Sequence, residues 1–440
     1  MRAGEKHNLK KMKPAVSRVL VLVFTLGFTY AQPGADPFAL TDTLISEGLK
    51  NNPRLMAIQL DTQAAETEII QAGTLPDPIL SISANNLPVD VFTFDKEPMT
   101  GKMLQLSQGI PILGKLNLRS QIAETRHEVS IETLEEARNQ LKREIATLVM
   151  DISYTDAAIE TIERNKQLLD EFQRVAGQRY AVGKGLQQDV LKAQVELSRM
   201  MEREITLRQR RITQVEQLNQ ALDRPVQSTV PPIANPGFSK LSLELTELVK
   251  TGVAHRPALR AMESKIKQSA QLVDLAKKNL VPDLKLNAGY TQRDVLQSGQ
   301  GGSDFLSAGV SVTLPLYAGH KQKQAISESK IRKSAQEERY RDAVNQLEAA
   351  LESTLSSLSQ NADLIDLYAD GIIPQAAQSL ESALTGYQTD KVDFITLINN
   401  QITLLNLELE YARILTNYHK DIVKLEYLIG QQLIRKNPNS

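Results

Sequence analysis

Cysteine is absent from the 440 residues, and tryptophan with it. Without thiols the chain has no disulfide, no thiolate metal site and no Cys for the lipid anchor of a bacterial lipoprotein. An excess of one charge sign is also missing: 51 Lys and Arg stand against 52 Asp and Glu, for a formal net charge of −1. Such a balance supplies no basic field for nucleic acid, which is therefore not an expected partner. The five histidines (His7, His127, His255, His320 and His419) show no paired or HExxH spacing, and His419 shares a seven-residue register with Ile398, Leu405 and Ala412, which points to packing. Gly183-Lys184-Gly185 follows a helical pattern rather than a strand and has no Ser or Thr after its Lys, so it is not a phosphate loop. Met99 and Met103 are soft donors without a third partner. The chain is expected to be no enzyme and to hold no cofactor and no metal.

Long apolar runs are equally scarce. Val19 to Phe28 follows Arg2, Lys6, Lys10, Lys11, Lys13 and Arg18 and precedes Thr29 and Ala31. That is the layout of a secretory signal peptide over residues 1–31, and the run falls short of the ~20 residues that cross a bilayer. No later run is longer, so a membrane-embedded body has to be built from strands.

Strands of that kind are present. In Phe305 to Gln324, Leu306, Ala308, Val310, Val312 and Leu314 alternate with Ser307, Gly309, Ser311 and Thr313. One such strand also fits a sandwich, but the pattern recurs. Leu80, Ile82 and Ala84 alternate with Ser81, Ser83 and Asn85; Leu104 and Leu106 with Gln105 and Ser107; Leu284, Leu286, Ala288 and Tyr290 with Lys285, Asn287 and Thr291. The polar positions Ser81, Ser83, Gln105, Ser107, Lys285, Asn287, Ser307, Ser311 and Thr313 are expected to line a water-filled lumen and the apolar ones to meet outer-membrane lipid. Four strands cannot close a barrel, whereas two copies make eight and three make twelve. Small polar inward residues favour the wider ring of three.

Between the strands the pattern is helical. Thr41 or Asp42 is expected to cap a first helix broken at Asn51-Asn52-Pro53, and a second runs to about Ala72. A helix over about 116–176 would be roughly 90 Å long. It turns at Tyr180 to Gly185 and returns over about 188–222. Pro225, Pro231, Pro232 and Pro236 mark a linker over 223–242. The whole order then repeats: Pro53 is echoed by Pro257, Pro76-Asp77 by Pro282-Asp283, and Pro111 by Pro315, some 204 to 207 residues later. The expected organisation is residues 32–222 with a β-hairpin over 79–113, the linker, residues 243–431 with a β-hairpin over 284–316, and a tail over 432–440. In the second half a long helix from Gly319 to about Leu384 is loosened near Gly371 and Pro374, and the last helix ends near Gly430. Ile395, Ile402 and Leu409 repeat every seven residues, as do Leu397, Leu404, Tyr411, Tyr418 and Leu425, so this helix needs two helical neighbours.

The two-fold repeat, Leu75-Pro76-Asp77-Pro78, the Gln108-Gly109-Ile110-Pro111 and Gly114-Lys115 corner, and the turns at Tyr180/Gly183 and Tyr387 together resemble the TolC-type outer-membrane efflux duct family over essentially the whole mature chain. The resemblance implies a mainly α chain with a transmembrane β-barrel: a trimeric α/β-barrel duct in which each chain gives four strands and long antiparallel coiled-coil helices. It also implies a homotrimer whose helical barrel docks a periplasmic adaptor (membrane fusion) protein and an inner-membrane pump of RND type. The segment from Leu75 to Lys115, with Asn86-Leu87-Pro88 and Phe94 to Pro98, looks most like the heavy-metal efflux branch. Relatives can carry carboxylate rings at the periplasmic mouth, and the matching positions here are Thr396 and Asn399, with Asp390 and Asp393 a turn earlier. With the helical hairpins side by side, Asp189 is expected to accept from the Lys391 ammonium and the Tyr387 hydroxyl as a gate. The competing reading is a secreted periplasmic coiled-coil scaffold or adaptor without a channel.

Overall fold

Residues 37–433 are described by the computed structural model; the expected signal peptide and the tail beyond residue 433 lie outside them. Helices α1 (Pro37–Asn51) and α2 (Pro53–Gly73) meet at Asn52, whose side chain accepts from the Leu55 N–H at 3.1 Å while Pro53 fills the first helical position. The cap expected at Thr41 or Asp42 does not form. The helix already begins at Pro37, and the Thr41 hydroxyl donates back to the Pro37 carbonyl at 2.6 Å inside it.

Strands β1 (Ile79–Asn85) and β2 (Gly101–Ile110) lead into α3 (Lys115–Ala181), a helix of 67 residues and about 100 Å that outruns its expected end at 176. Helix α4 (Gln187–Leu222) returns along it. Then α5 (Leu245–His255), α6 (Pro257–Lys278), β3 (Leu284–Gln292), β4 (Phe305–Val312), α7 (Gln322–Leu367), α8 (Ile373–Gln388) and α9 (Phe394–Ile429) run through the same order. Helix α7 starts at Gln322 rather than Gly319, after turns over 316–321, and Leu314 and Thr313 lie past the end of β4. The loosening near Gly371 and Pro374 is a π-helical turn, Tyr368–Ile372. Pro374 has no N–H to give the preceding turn, and the wider i→i+5 turn makes room for its ring.

The repeat extends to packing detail. Helices α4 and α9 each have 36 residues and each end on a left-handed residue, Asp223 (φ 57°) and Gly430 (φ 70°). Gly48 lets α1 approach α3, where an added Cβ would fall 2.5 Å from Ile145 Cδ1; Gly252 does the same for α5 on α7, 3.0 Å from Leu347 Cδ2. Each half has its own apolar core: Leu44, Leu55, Ile145, Val149 and Leu218 in the first, Leu248, Leu259, Leu351, Tyr418 and Leu425 in the second. A third core joins the halves, uniting Ile162, Phe172 and Met200 of the first hairpin with Leu380, Phe394 and Ile398 of the second. Helix α9 packs on α3 on one side and on α7 and α8 on the other, which accounts for its two heptad stripes.

The strands form one antiparallel sheet in the order β1-β2-β3-β4. The two hairpins join through β2 and β3, with Leu106 opposite Ala288 and Leu104 opposite Tyr290. Both outer edges, β1 and β4, are unpaired in the single chain.

Candidate functional site: a two-faced sheet and two helical tips

Registry across the sheet gathers side chains of one character on each face, because directly opposed residues point the same way. Leu80, Leu106, Ala288 and Ala308 make one row, and Ile82, Leu104, Tyr290 and Leu306 the next. This face is bare: Ile82 is 81 % exposed and Leu306 85 %. In water a patch of that size would drive association, whereas in lipid it costs nothing. The opposite face carries Ser81, Gln105 and Ser307 in one row and Ser107 beside Asn287 in the next, with Ser83, Lys285 and Ser311 on the same side. Asn287 Nδ2 donates to Ser311 Oγ at 2.9 Å, and the Ser307 hydroxyl to the Gly289 carbonyl at 3.3 Å. Thr313, one residue beyond β4, continues the ladder by donating its N–H to the Asp283 carbonyl.

A buried ammonium holds the sheet to the helices. Lys115, the first residue of α3, is 2 % exposed and spans the two repeats. Its Nζ donates to Asp283 Oδ1 at 2.8 Å and to the Val281 carbonyl at 2.7 Å, so the charge is paired and its hydrogen bonds are met. Asp283 is the acid of the second Pro-Asp motif, and this pairing gives that motif a structural reason.

At the other end the turns between α3 and α4 and between α8 and α9 lie together, and their chemistry differs from the expected gate. Asp189 sits buried in the first turn of α4, where the helix dipole favours a carboxylate, but it accepts from neither Lys391 nor Tyr387. The Tyr387 hydroxyl is buried without a hydrogen-bond partner. Burial raises its pKa, as does the Asp189 charge, while the Arg179 charge lowers it. Lys391 is exposed and makes no ion pair among the described residues. The cation that ties the two turns is instead Arg179, and its carboxylate partner is Asp390 rather than Asp189. From α3 the Arg179 guanidinium pairs with Asp390 in the opposite turn, donates to the Tyr387 carbonyl at 3.0 Å, and lies 4.9 Å from the Tyr387 ring centre. The planar guanidinium fork serves the carboxylate and the carbonyl together while its face lies against the Tyr387 ring. Asp390 is held at φ 61° by the turn. Asp393 caps α9 by accepting from the Thr396 N–H at 2.8 Å, which holds its carboxyl below the usual range. Thr396 and Asn399 are exposed on that helix.

Arg179 is the residue that sequence reasoning missed. Its only signal was a basic residue in the last turn of a helix. Elsewhere, His419 packs edge-on to Phe38 at 5.6 Å between ring centres and meets the Gly237 carbonyl at 3.0 Å. Met103 Sδ accepts from Asn85 Nδ2 at 3.1 Å, away from exposed Met99. No cluster of three or more His, Asp or Glu suited to a metal occurs among the described residues.

A sheet with one apolar and one polar face, carried on long helical hairpins, fits the framework of an outer-membrane channel. The chain belongs to the outer membrane efflux protein family, which it matches over residues 44–224 and 248–431. It is 20 % identical to the cobalt-zinc-cadmium resistance protein CzcC of Cupriavidus metallidurans over 91 % of this chain and 92 % of that one. Among solved structures it is similar to the outer membrane protein VceC of Vibrio cholerae, at 17 % identity and a TM-score of 0.75, covering 90 % of this chain and 97 % of VceC. The Campylobacter jejuni CmeC channel matches at 15 % identity and 0.75 over 89 % and 85 %, and CusC at 15 % and 0.75 over 92 % and 96 %. The fold is theirs, and the protein is an efflux component of the outer membrane rather than a soluble coiled-coil scaffold.

Proposed function

We propose that three copies of this chain close a twelve-stranded barrel and form a passive duct, which exports divalent metal cations delivered by an RND-type inner-membrane pump through a periplasmic adaptor. The observation that carries the reading is the four-stranded sheet with one apolar and one polar face and both edges unpaired. Unpaired edges have to be covered, and twelve strands leave a lumen that eight do not. The cation cargo rests on the CzcC relative, whose name is that of a cobalt-zinc-cadmium resistance protein. The helical tips, Val182 to Leu186 and Thr389 to Asp393, form the periplasmic mouth and meet the adaptor. There Arg179, Asp189, Tyr387, Asp390 and Lys391 act as the gate, while Asp393, Thr396 and Asn399 stand on the helix that leads inward.

Two measurements test this. With no native thiol to interfere, Ser311→Cys in whole cells should react with a membrane-impermeant, water-soluble maleimide and Val310→Cys should not; the reverse pattern overturns the barrel assignment. Replacing either tip turn by a neutral Gly/Ser loop should abolish resistance to cobalt, zinc and cadmium while three copies per particle persist. Resistance left unchanged would remove both the docking role and the cargo.

A further inference from the structure

Helices α3, α9 and α7 frame a cleft of about 410 Å³ within one chain, since α9 packs on α3 on one side and on α7 on the other. At roughly 30 Å³ per water it has room for a small ligand and several waters. Two of its groups are already served, each by a different helix. Lys420 of α9 donates to Asp151 of α3 at 2.9 Å. Asp421, the next residue, accepts on Oδ2 from Ser357 and Asn361 of α7 at 2.8 and 2.9 Å.

The groups left over are donors. The Arg143 guanidinium makes no ion pair among the described residues; it lies over the Tyr427 ring, 4.2 Å from the ring centre. Stacking engages the face of the guanidinium and leaves the N–H groups on its edge free. The Lys424 ammonium is exposed and makes no ion pair or hydrogen bond among the described residues, and neither do the Asn417 amide and the Thr147 hydroxyl. Arg143, Lys420 and Lys424 against the carboxylates of Asp421 and Asp151 leave one positive charge over.

The helical period says which way the cleft opens. Ile145 of α3 is buried with Leu44 of α1 and with Val230 and Ile233 of the linker, and Ile422 of α9 is buried with Leu248 of α5 beside Leu241. Arg143 and Thr147 stand two residues to either side of Ile145, and Lys420 and Lys424 two residues to either side of Ile422. Two residues are about 200° of turn, so the cleft lies on the face opposite to α1, α5 and the linker. A passage needs the face that these elements do not fill. In the proposed ring of three the cleft therefore looks into the duct.

We infer that this cleft is a binding site for a small tetrahedral oxyanion of the phosphate class, held by Arg143 and Lys424 with Asn417 and Thr147 as neutral donors. A guanidinium edge matches two oxygens of such an anion, and the ammonium adds a point charge. Asp421 does not stand in the way, because its Oδ2 is turned to the α7 donors. Bound in the wall, the oxyanion is a fixed counterion: it cancels the surplus positive charge that would otherwise repel a cation in transit. The site itself needs one chain only, whereas the counterion role rests on the proposed duct.

Calorimetric titration of the purified full-length protein with inorganic phosphate should give saturable binding that chloride at the same ionic strength does not. Lys424→Gln and Arg143→Gln should each weaken it about tenfold or more, Lys424→Arg should retain it, and Asp421→Asn should tighten it by removing a repulsive charge. Heat that does not saturate, an equal response to chloride, or an affinity unchanged in both Gln variants overturns the site. In planar bilayers under a potassium chloride gradient, added phosphate should move the reversal potential of the wild type toward cation selectivity and leave that of Lys424→Gln in place. Phosphate binding without that shift overturns the counterion role. Phosphate binding by a protein that forms no channel at all removes the duct and leaves the site standing.

Discussion

Arg179 on the outgoing helix of the first hairpin is ion-paired to Asp390 in the turn of the second, and its guanidinium covers the Tyr387 ring on the way. One side chain thus ties two turns some two hundred residues apart. Asp390 is largely exposed, so the pair belongs with contacts worth about 1 kcal/mol or less, the scale that the proposed gate requires.

Arg179→Ala is expected to raise the ratio of open to closed channels in planar bilayers by up to about fivefold per protomer. Asp390→Gly should do the same, because glycine accepts the φ of 61° and only the charge is lost. A conductance unchanged in both variants would show that the clamp is structural only.

The two helix ends that repeat 207 residues apart should respond oppositely to substitution. Gly430 has φ 70°, and a Cβ there would approach the His255 carbonyl oxygen to 2.8 Å, so Gly430→Ala is expected to destabilise by about 1–2 kcal/mol or more. Asp223 already bears the left-handed strain at φ 57°, so Asp223→Gly should be neutral or stabilise by up to about 1 kcal/mol. Thermal unfolding of the purified oligomer reads both.

Asp421 supplies a pH dependence. It accepts from Ser357 Oγ at 2.8 Å and Asn361 Nδ2 at 2.9 Å, yet burial outweighs these bonds and the nearby Lys424 and Lys420 charges, and its pKa is raised. Above its ordinary value of 3.8 the unfolded chain releases a proton that the folded chain keeps, so stability falls as pH rises through the raised value. Asp421→Asn should remove that slope and raise the melting temperature at neutral pH. A melting temperature lowered equally at pH 4 and pH 7 would mean that the carboxylate is needed as such.

Much of the architecture follows from short-range pattern. Period-two alternation in Leu306 to Val312, seven-residue stripes in α9, and prolines at 53, 76, 111, 257, 282 and 315 are local facts, and each dictates a local structure whatever lies around it. The repeat spacing adds which elements correspond. Helix starts were less legible, because Pro37 and the turns over 316–321 shift them by a few residues without disturbing the apolar period.

What only the tertiary structure decided is which charged groups meet. Lys115 reaches Asp283 because β2 and β3 lie side by side, and the tip pair is Arg179 with Asp390 rather than Lys391 with Asp189 because Arg179 of α3 is turned toward the neighbouring turn while Lys391 is exposed. A side chain's direction at the end of a 67-residue helix depends on the accumulated turn of every residue before it and on the helices packed against it. A small error per turn therefore becomes a different face at the tip, and no periodicity in the sequence records the outcome.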